Sequence, residues 1–444
     1  MVTCSRAVVA LAVLVATSGV ASAQIFGGQN PPRPERPYRG LFGGGAAQTN
    51  TDQSLVAGLS LGGGVTDGLV GDEAAQQTAP IVPSTRRSSA FGSASGNVSY
   101  SLSRTRVATD LAFGASARYF DQAPPNLFVA SNGHAGVSWQ VAKRTSVSVR
   151  SGATYQPYTL YLFSQVQLDP NVPPNVTSAA TDERYFSWDA NVSVDQGITQ
   201  RVSFYADASY RRSELFAGDR QTHQGARGGF SVAVGRGLGL RLGYGYYDVE
   251  GRLAGGVTRY RNQVIDAGLD FSRSLSLTRK TTLGFSTGAA GSQEPNRNFT
   301  RWSLTGHVRL NRDIGRTWNT SLAYGRTLEF NELIVQPIFT DRLGWELAGL
   351  ISRRVDLRLS ASTSKGTMSG GLGASDDLKR SHGGATLTTA FTRHVALSLS
   401  YSISSYDFGT AVTLPIGIQR ELTYQSVHAA LRLWAPIFTR TRRP

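Results

Sequence analysis

The chain has 444 residues, a net charge of +15 at pH 7, 49 Gly, 17 Tyr and 19 Phe, but only 17% charged residues. Its single cysteine, Cys4, lies in the first few residues, so a disulfide framework, a thiolate metal site and a cysteine nucleophile are excluded from everything downstream. A mean hydropathy of −0.20 fits a soluble protein, and fits equally a membrane barrel in which alternating apolar and polar residues cancel.

In chain order, the first element is a secretory leader. Arg6 supplies a positive start, Ala7 to Ala16 an apolar stretch, and Ala21-Ser22-Ala23 a small-residue cleavage site before Gln24. It is too short for a membrane helix, and no later stretch reaches the roughly 18 consecutive apolar residues that one needs. Residues 24–53, with Pro31-Pro32-Arg33-Pro34 and Gly43-Gly44-Gly45, read as a flexible periplasmic segment, either a tether or a partial plug.

From about residue 54 to 438 the dominant pattern is alternation. Val395-Leu397-Leu399-Tyr401-Ile403 interleave with Ala396, Ser398, Ser400 and Ser402; Val202-Phe204-Ala206-Ala208-Tyr210 interleave with Ser203, Tyr205, Asp207 and Ser209. Side chains switch faces at each strand residue, so such runs have one apolar and one polar surface. Short, mostly basic connections fall near Arg104, Arg144, Gln200, Arg236, Leu275, Asp313, Arg353 and Arg393. They recur about every 40 residues and alternate with longer polar connections, among them 212–222, 249–259 and 364–379. Short turns alternating with long loops are the pattern of an outer-membrane barrel. Eight short turns join sixteen strands; one strand near Ser54–Gly64 precedes them and one near Glu421–Trp434 follows. The expected fold is an all-β antiparallel up-and-down transmembrane barrel of about 18 strands, with 16 as the alternative and a soluble propeller as the competing all-β reading. Residues 439–444 form a basic tail.

Units such as Thr392-Arg393-His394-Val395-Ala396-Leu397-Ser398-Leu399-Ser400-Tyr401-Ser402 and Ser272-Arg273-Ser274-Leu275-Ser276-Leu277 resemble Gram-negative outer-membrane barrels of the beta-barrel porin 2 group. The resemblance covers roughly residues 54–438 and rests on a style of repeat. It implies passive diffusion or another envelope role, and no catalytic residues. It also implies that a terminal aromatic residue, here Phe438, is an assembly signal for the barrel assembly machinery. Pro436 and the tail depart from that pattern, since Pro436 would break the final ladder.

On the expected barrel, alternate residues point inward. The candidate lumen-lining charges are Asp110, Arg118, Arg150, Asp189, Asp207 and Arg227, followed by Arg241, Asp270, Arg301, Arg309, Glu346 and Arg358; Asp195, Asp266 and Asp356 share that face. So many charges buried dry would cost several kcal/mol each, so a wet lumen is expected. Aromatic residues near strand ends, from Tyr100, Tyr119, Trp139 and Tyr185 to Trp302, Trp318 and Trp434, fit interfacial girdles. The histidines make no metal-site or triad pattern; His134, His223 and His382 are expected at external strand ends. Gly235-Arg236-Gly237-Leu238-Gly239 has no helix after it and reads as a tight turn. No catalytic site, cofactor, metal or nucleic-acid partner is expected. The expected partners are membrane lipid and small polar or anionic solutes. The leading functional expectation is a porin-like channel, and the alternative is a structural or interaction barrel in an export or surface system.

Overall fold

The computed structural model describes residues 51–69, 87–121, 127–157, 184–215, 219–235, 237–253, 256–274, 280–293, 300–330, 337–368, 378–407, 409 and 421–441. The leader, residues 24–50, the basic residues 442–444, Arg236, the turn near Leu275 and most external connections lie outside the described residues.

The described chain is β-strand joined by short turns. In order the strands are β1 (Thr51–Leu69), β2 (Arg87–Ser103), β3 (Val107–Phe120), β4 (Leu127–Ala142), β5 (Thr145–Pro157) and β6 (Arg184–Gly197). Next come β7 (Val202–Leu215), β8 (Asp219–Gly235), β9 (Leu238–Leu253), β10 (Gly256–Ile265), β11 (Gly268–Ser274) and β12 (Thr281–Gln293). The last are β13 (Thr300–Ile314), β14 (Trp318–Phe330), β15 (Pro337–Ser352), β16 (Val355–Met368), β17 (Leu378–Ala390), β18 (Val395–Asp407) and β19 (Glu421–Thr441). Apart from β10 and β11, each pairs antiparallel with its neighbours in sequence, and β1 pairs with both β2 and β19, so the sheet closes into a barrel.

The 19 segments make 18 staves. β10 and β11 both pair with β9 and with β12, as two halves of one strand. Against β9 the register runs through unbroken, from Ile265↔Tyr244 to Gly268↔Arg241, with Asp266 and Gly243 exchanging backbone hydrogen bonds. Against β12 it slips by two residues, from Ile265↔Ala289 to Asp270↔Ser286. The interruption at Asp266-Ala267 is therefore a bulge on the β12 side alone, which leaves Asp266 paired with Gly243 and inward.

The faces follow from register. Leu59, Leu61, Val65, Val98, Leu111, Phe113, Leu240 and Leu242 are large, apolar and exposed on the outside. Such a surface is stable only against lipid, which also requires every backbone polar group to be paired, as a closed ladder provides. Outward aromatic pairs add cross-strand contacts: Phe204–Phe230 with ring centroids 5.4 Å apart and Phe271–Phe285 at 5.3 Å.

Strand extents differ from expectation at both ends. The connections expected at 212–222 and 249–259 are largely strand, because β7 runs to Leu215, β8 starts at Asp219, β9 reaches Leu253 and β10 begins at Gly256. Charged residues on both faces hid these extensions from the alternation. β19 continues past Pro436 to Thr441, pairing with β1 through Thr51↔Thr441. Pro436 does not end that ladder: it sits beside a register shift between Leu55 and Val56, while pairing with β18 stops at Leu433.

One external element leans inward. Pairing of β13 with β14 stops at Gly306↔Arg326, whereas β12 and β13 stay paired to Gln293↔Thr300. Above that split, Leu328 and Phe339 pack with Ala290 and Val264, which belong to the inner face of β12 and β10.

Candidate permeation lumen

All twelve candidate lumen charges occupy inward register positions, because parity passes from strand to strand through the pairing. Val98, outward, sits opposite Phe113, also outward, which turns Asp110 and Arg118 inward; the same logic carries round to Glu346 and Arg358 on β15 and β16. Arg301 takes such a position in β13. Asp195, Asp266 and Asp356 share the face.

The most connected group is on β7 to β11. Arg227 pairs with Asp207 on the neighbouring strand. Arg241 Nε lies 2.6 Å from Asp266 Oδ1, and its Nη1 is 3.0 Å from Asp270 Oδ1. Tyr205 on β7 donates its hydroxyl to Asp266 Oδ2 at 2.8 Å, reaching across β8 and β9. Two glycines make that reach possible. A Cβ on Gly229 would stand 2.7 Å, and one on Gly243 2.2 Å, from the Tyr205 hydroxyl. The side chains of Arg241 and Asp266 are 11% and 3% exposed, so the carboxylate stands in a nearly dry position where a guanidinium and a phenol meet it.

Elsewhere the inner wall is pinned by shorter links. Arg211 Nη2 donates to the Tyr185 hydroxyl at 2.8 Å and its Nε to Ser187 at 3.2 Å. His134 Nε2 lies 3.2 Å from Asp110 Oδ2, and Arg358 Nε is 3.3 Å from Glu346 Oε1. Histidines on this face bond to serines of an adjoining or nearby strand: His307 to Ser286 at 2.5 Å, His382 to Ser404 at 2.8 Å and His428 to Ser93 at 2.9 Å. His134 is at mid-strand, opposite Gly152, and not at an external end.

Toward the external end the inner face becomes aromatic and buried. Phe91, Phe120 and Phe128 cluster with Ala130, Arg118 lies 4.2 Å above the Phe91 ring, and His428 stacks on that ring at 5.7 Å. On β17 to β19, Arg380 lies 5.3 Å from the Tyr406 ring, which stacks on Tyr424 at 5.9 Å. A cation–π contact of this kind holds a guanidinium over the face of an aromatic ring.

Charge is not spread evenly round the wall. In an 18-stave cylinder the opposite stave is nine away, so β6 to β11 face β16 to β19 and β1. The first arc carries Asp189, Asp195, Asp207, Asp266 and Asp270 against Arg211, Arg227 and Arg241. The second carries Arg358, Arg380 and Arg432 against Asp356, among small polar residues such as Thr386, Thr388, Ser398, Ser400 and Ser402. The arginines at 211, 380 and 432 were not singled out from the sequence. Arg211 and Arg380 sit in or beside stretches expected as loops, while Arg432, between outward Leu431 and Leu433, was legible from alternation.

Two aromatic residues expected in the girdles face inward. Tyr185 is buried under Arg211, and Trp434 takes an inward position opposite Gly58 and stacks with His394 at 5.9 Å. Among the described residues, no three His, Cys, Asp or Glu side chains converge to hold a metal ion.

The chain matches no protein-family model, and no curated protein matches it in sequence. Solved structures similar to it include OccK2 (OpdF) from Pseudomonas aeruginosa, at 10% identity and a TM-score of 0.43, covering 86% of this chain and 98% of that one. OccAB4 from Acinetobacter baumannii is 7% identical with a TM-score of 0.42, covering 88% and 100%. The siderophore receptor PirA from Acinetobacter baumannii is 6% identical with a TM-score of 0.44, covering 87% and 81%.

Proposed function

We propose that this protein is a porin-like channel of the bacterial outer membrane that passes small polar solutes and favours anions. The observation that carries this reading is the pair of opposed charged arcs on the inner wall of an 18-stave barrel. Barrels of 16–18 strands are wide enough to hold a water column, and charged walls select among the ions that enter it. The acidic arc is largely neutralised by its own ion pairs, whereas on the opposite arc Arg358 pairs with Glu346 of β15 and, among the described residues, Arg380 and Arg432 have no carboxylate within ion-pair distance. Basic turn residues add to the anion preference at the periplasmic mouth, where Lys143, Arg144, Arg201, Arg312, Arg316, Arg353, Arg354 and Arg393 are exposed. In this reading the barrel assembly machinery, reading Phe438, inserts the chain after a leader at 1–23 is removed, and the segment that precedes β1 stays on the periplasmic side.

The test is single-channel recording of the refolded mature chain in a planar bilayer under a salt gradient. Steady ohmic openings with a reversal potential on the anion side are expected. Silence, with folding verified by heat-modifiable gel mobility, would replace this reading by a second one, a structural or interaction barrel. That alternative is favoured by the buried aromatic inner layer and by the inward lean of the β14–β15 tip.

A further inference from the structure

The outer face changes character abruptly on four adjoining strands. On β7 the outward residues are Val202, Phe204, Ala206, Ala208 and Tyr210; on β9 they are Leu238, Leu240, Leu242, Tyr244 and Tyr246. Each column spans nine residues, the length at which a tilted strand of about 9–11 residues crosses the hydrocarbon. The next outward positions are charged. In register, Tyr210 sits opposite Gln224, Gln224 opposite Asp248, and Asp248 opposite Arg261. One step outward, Arg212, Thr222, Glu250 and Arg259 align, and then Glu214, Arg220 and Arg252. The apolar columns thus set the height of this patch at the headgroup layer of the external leaflet.

The patch holds five arginines and three carboxylates, and its ion pairs fix part of it in place. Arg259 Nη2 lies 2.5 Å from Asp248 Oδ2, Arg212 Nη2 lies 2.5 Å from Glu214 Oε1, and Arg220 Nε lies 3.8 Å from the same oxygen. Arg252 and Arg261 are exposed, and among the described residues neither has a carboxylate within ion-pair distance. At the corresponding end of β3 and β4 the outward residues are Tyr119, Leu127 and Val129, all exposed and none charged.

We propose that the outward arginine patch of β7 to β10 binds the phosphate groups of a lipid in the external leaflet, whose acyl chains lie along the apolar columns below it. Two features select that occupant. A guanidinium fork matches phosphate oxygens bidentately, which an ammonium does not. The apolar columns run beneath Arg212 on β7 and Arg252 on β9, and the β9 column lies beside the β10 arginines, below which come Gln263 and Ile265, so one amphiphile satisfies both; a soluble acidic protein or a free anion would meet the charges alone.

The mature chain, refolded in detergent with added diphosphoryl lipid A, is examined by native mass spectrometry. The expected result is retained lipid A on the intact barrel and little retention of the same lipid stripped of its phosphates. Arg252→Gln with Arg261→Gln should cut retention about tenfold, equivalent to roughly 1.4 kcal/mol, with heat-modifiable mobility unchanged. Arg261→Lys should fall between, and Lys365→Gln with Lys379→Gln, on a distant part of the rim, should retain lipid like the parent. Inorganic phosphate should not displace the lipid; displacement by it would make the patch a simple anion site and overturn the proposal. Equal retention of the phosphate-free lipid, or by the double glutamine variant, would overturn it also.

Discussion

At the scale of single residues, Asp266 is a point where three staves of the wall are tied together. It is 3% exposed and sits where the β10–β11 stave bulges, and its two oxygens are taken by Arg241 and by a tyrosine two strands further away. Removing one partner of a buried ion pair leaves an uncompensated charge. Arg241→Ala is therefore expected to lower stability by about 3 kcal/mol. Tyr205→Phe, which removes one hydrogen bond and no charge, should cost about 1 kcal/mol. Urea unfolding in lipid vesicles measures both, and equal losses would mean that packing, not charge, holds the group. A Gly243→Val variant should displace the Tyr205 ring, because a Cβ added there would stand 2.2 Å from its hydroxyl. Its loss should match or exceed that of Tyr205→Phe in the same assay.

That group also marks how far single residues were legible. Period-two alternation assigned Asp207, Arg227, Arg241 and Asp270 to one face, since parity depends only on counting along a strand. It gave no means of seeing Tyr205 reach Asp266, which needs two glycines on intervening strands and a bulge that slips register on one side alone. Tyr185 and Trp434 were misplaced for a related reason. Aromatic character near a strand end suits a girdle, but alternation already sets Trp434 on the face of Arg432, opposite to Leu431 and Leu433, and its pairing with Gly58 agrees.

At the scale of elements, alternation located strand centres well and strand ends poorly. The lipid-facing centre of β7 is apolar on alternate residues, whereas its external end reads Arg211-Arg212-Ser213-Glu214, polar on both faces. Such a stretch looks like a loop in sequence because its outer face meets headgroups and not hydrocarbon. The final strand posed the opposite problem: Pro436 looked like a stop, but the ladder to β1 accommodates it beside a register shift and continues. Phe438 lies in that continuation, opposite Leu55 and 40% exposed. If it is read during assembly, Phe438→Ala should reduce the folded barrel recovered from outer membranes several-fold while leaving spontaneous refolding in detergent unchanged. An equal deficit in both would assign Phe438 to stability of the β1–β19 seam.

At the scale of the whole molecule, closure is what turns a charge distribution into a field. On an open sheet the carboxylates of β6 to β11 and the arginines of β16 to β19 would lie at distant positions on one surface. Joining β1 to β19 brings the two arcs face to face across the lumen. In the proposed channel, a solute crossing between them would meet oriented charge on two sides, and water in that gap would screen it less than bulk solvent does. The arc built on Arg358 and Arg432 is the one to invert, since β17 and β18 between them present small polar residues that leave the lumen open to its field. Replacing both with glutamate should move the reversal potential in a salt gradient from the anion to the cation side, with unitary conductance changed by less than about twofold. The same replacements at Arg212 and Arg259, which are outward on the wall, should leave the reversal potential where it was. A reversal potential that ignores the inner pair would place selectivity at the basic periplasmic turns, and Arg353→Glu with Arg354→Glu would then be the variant that moves it.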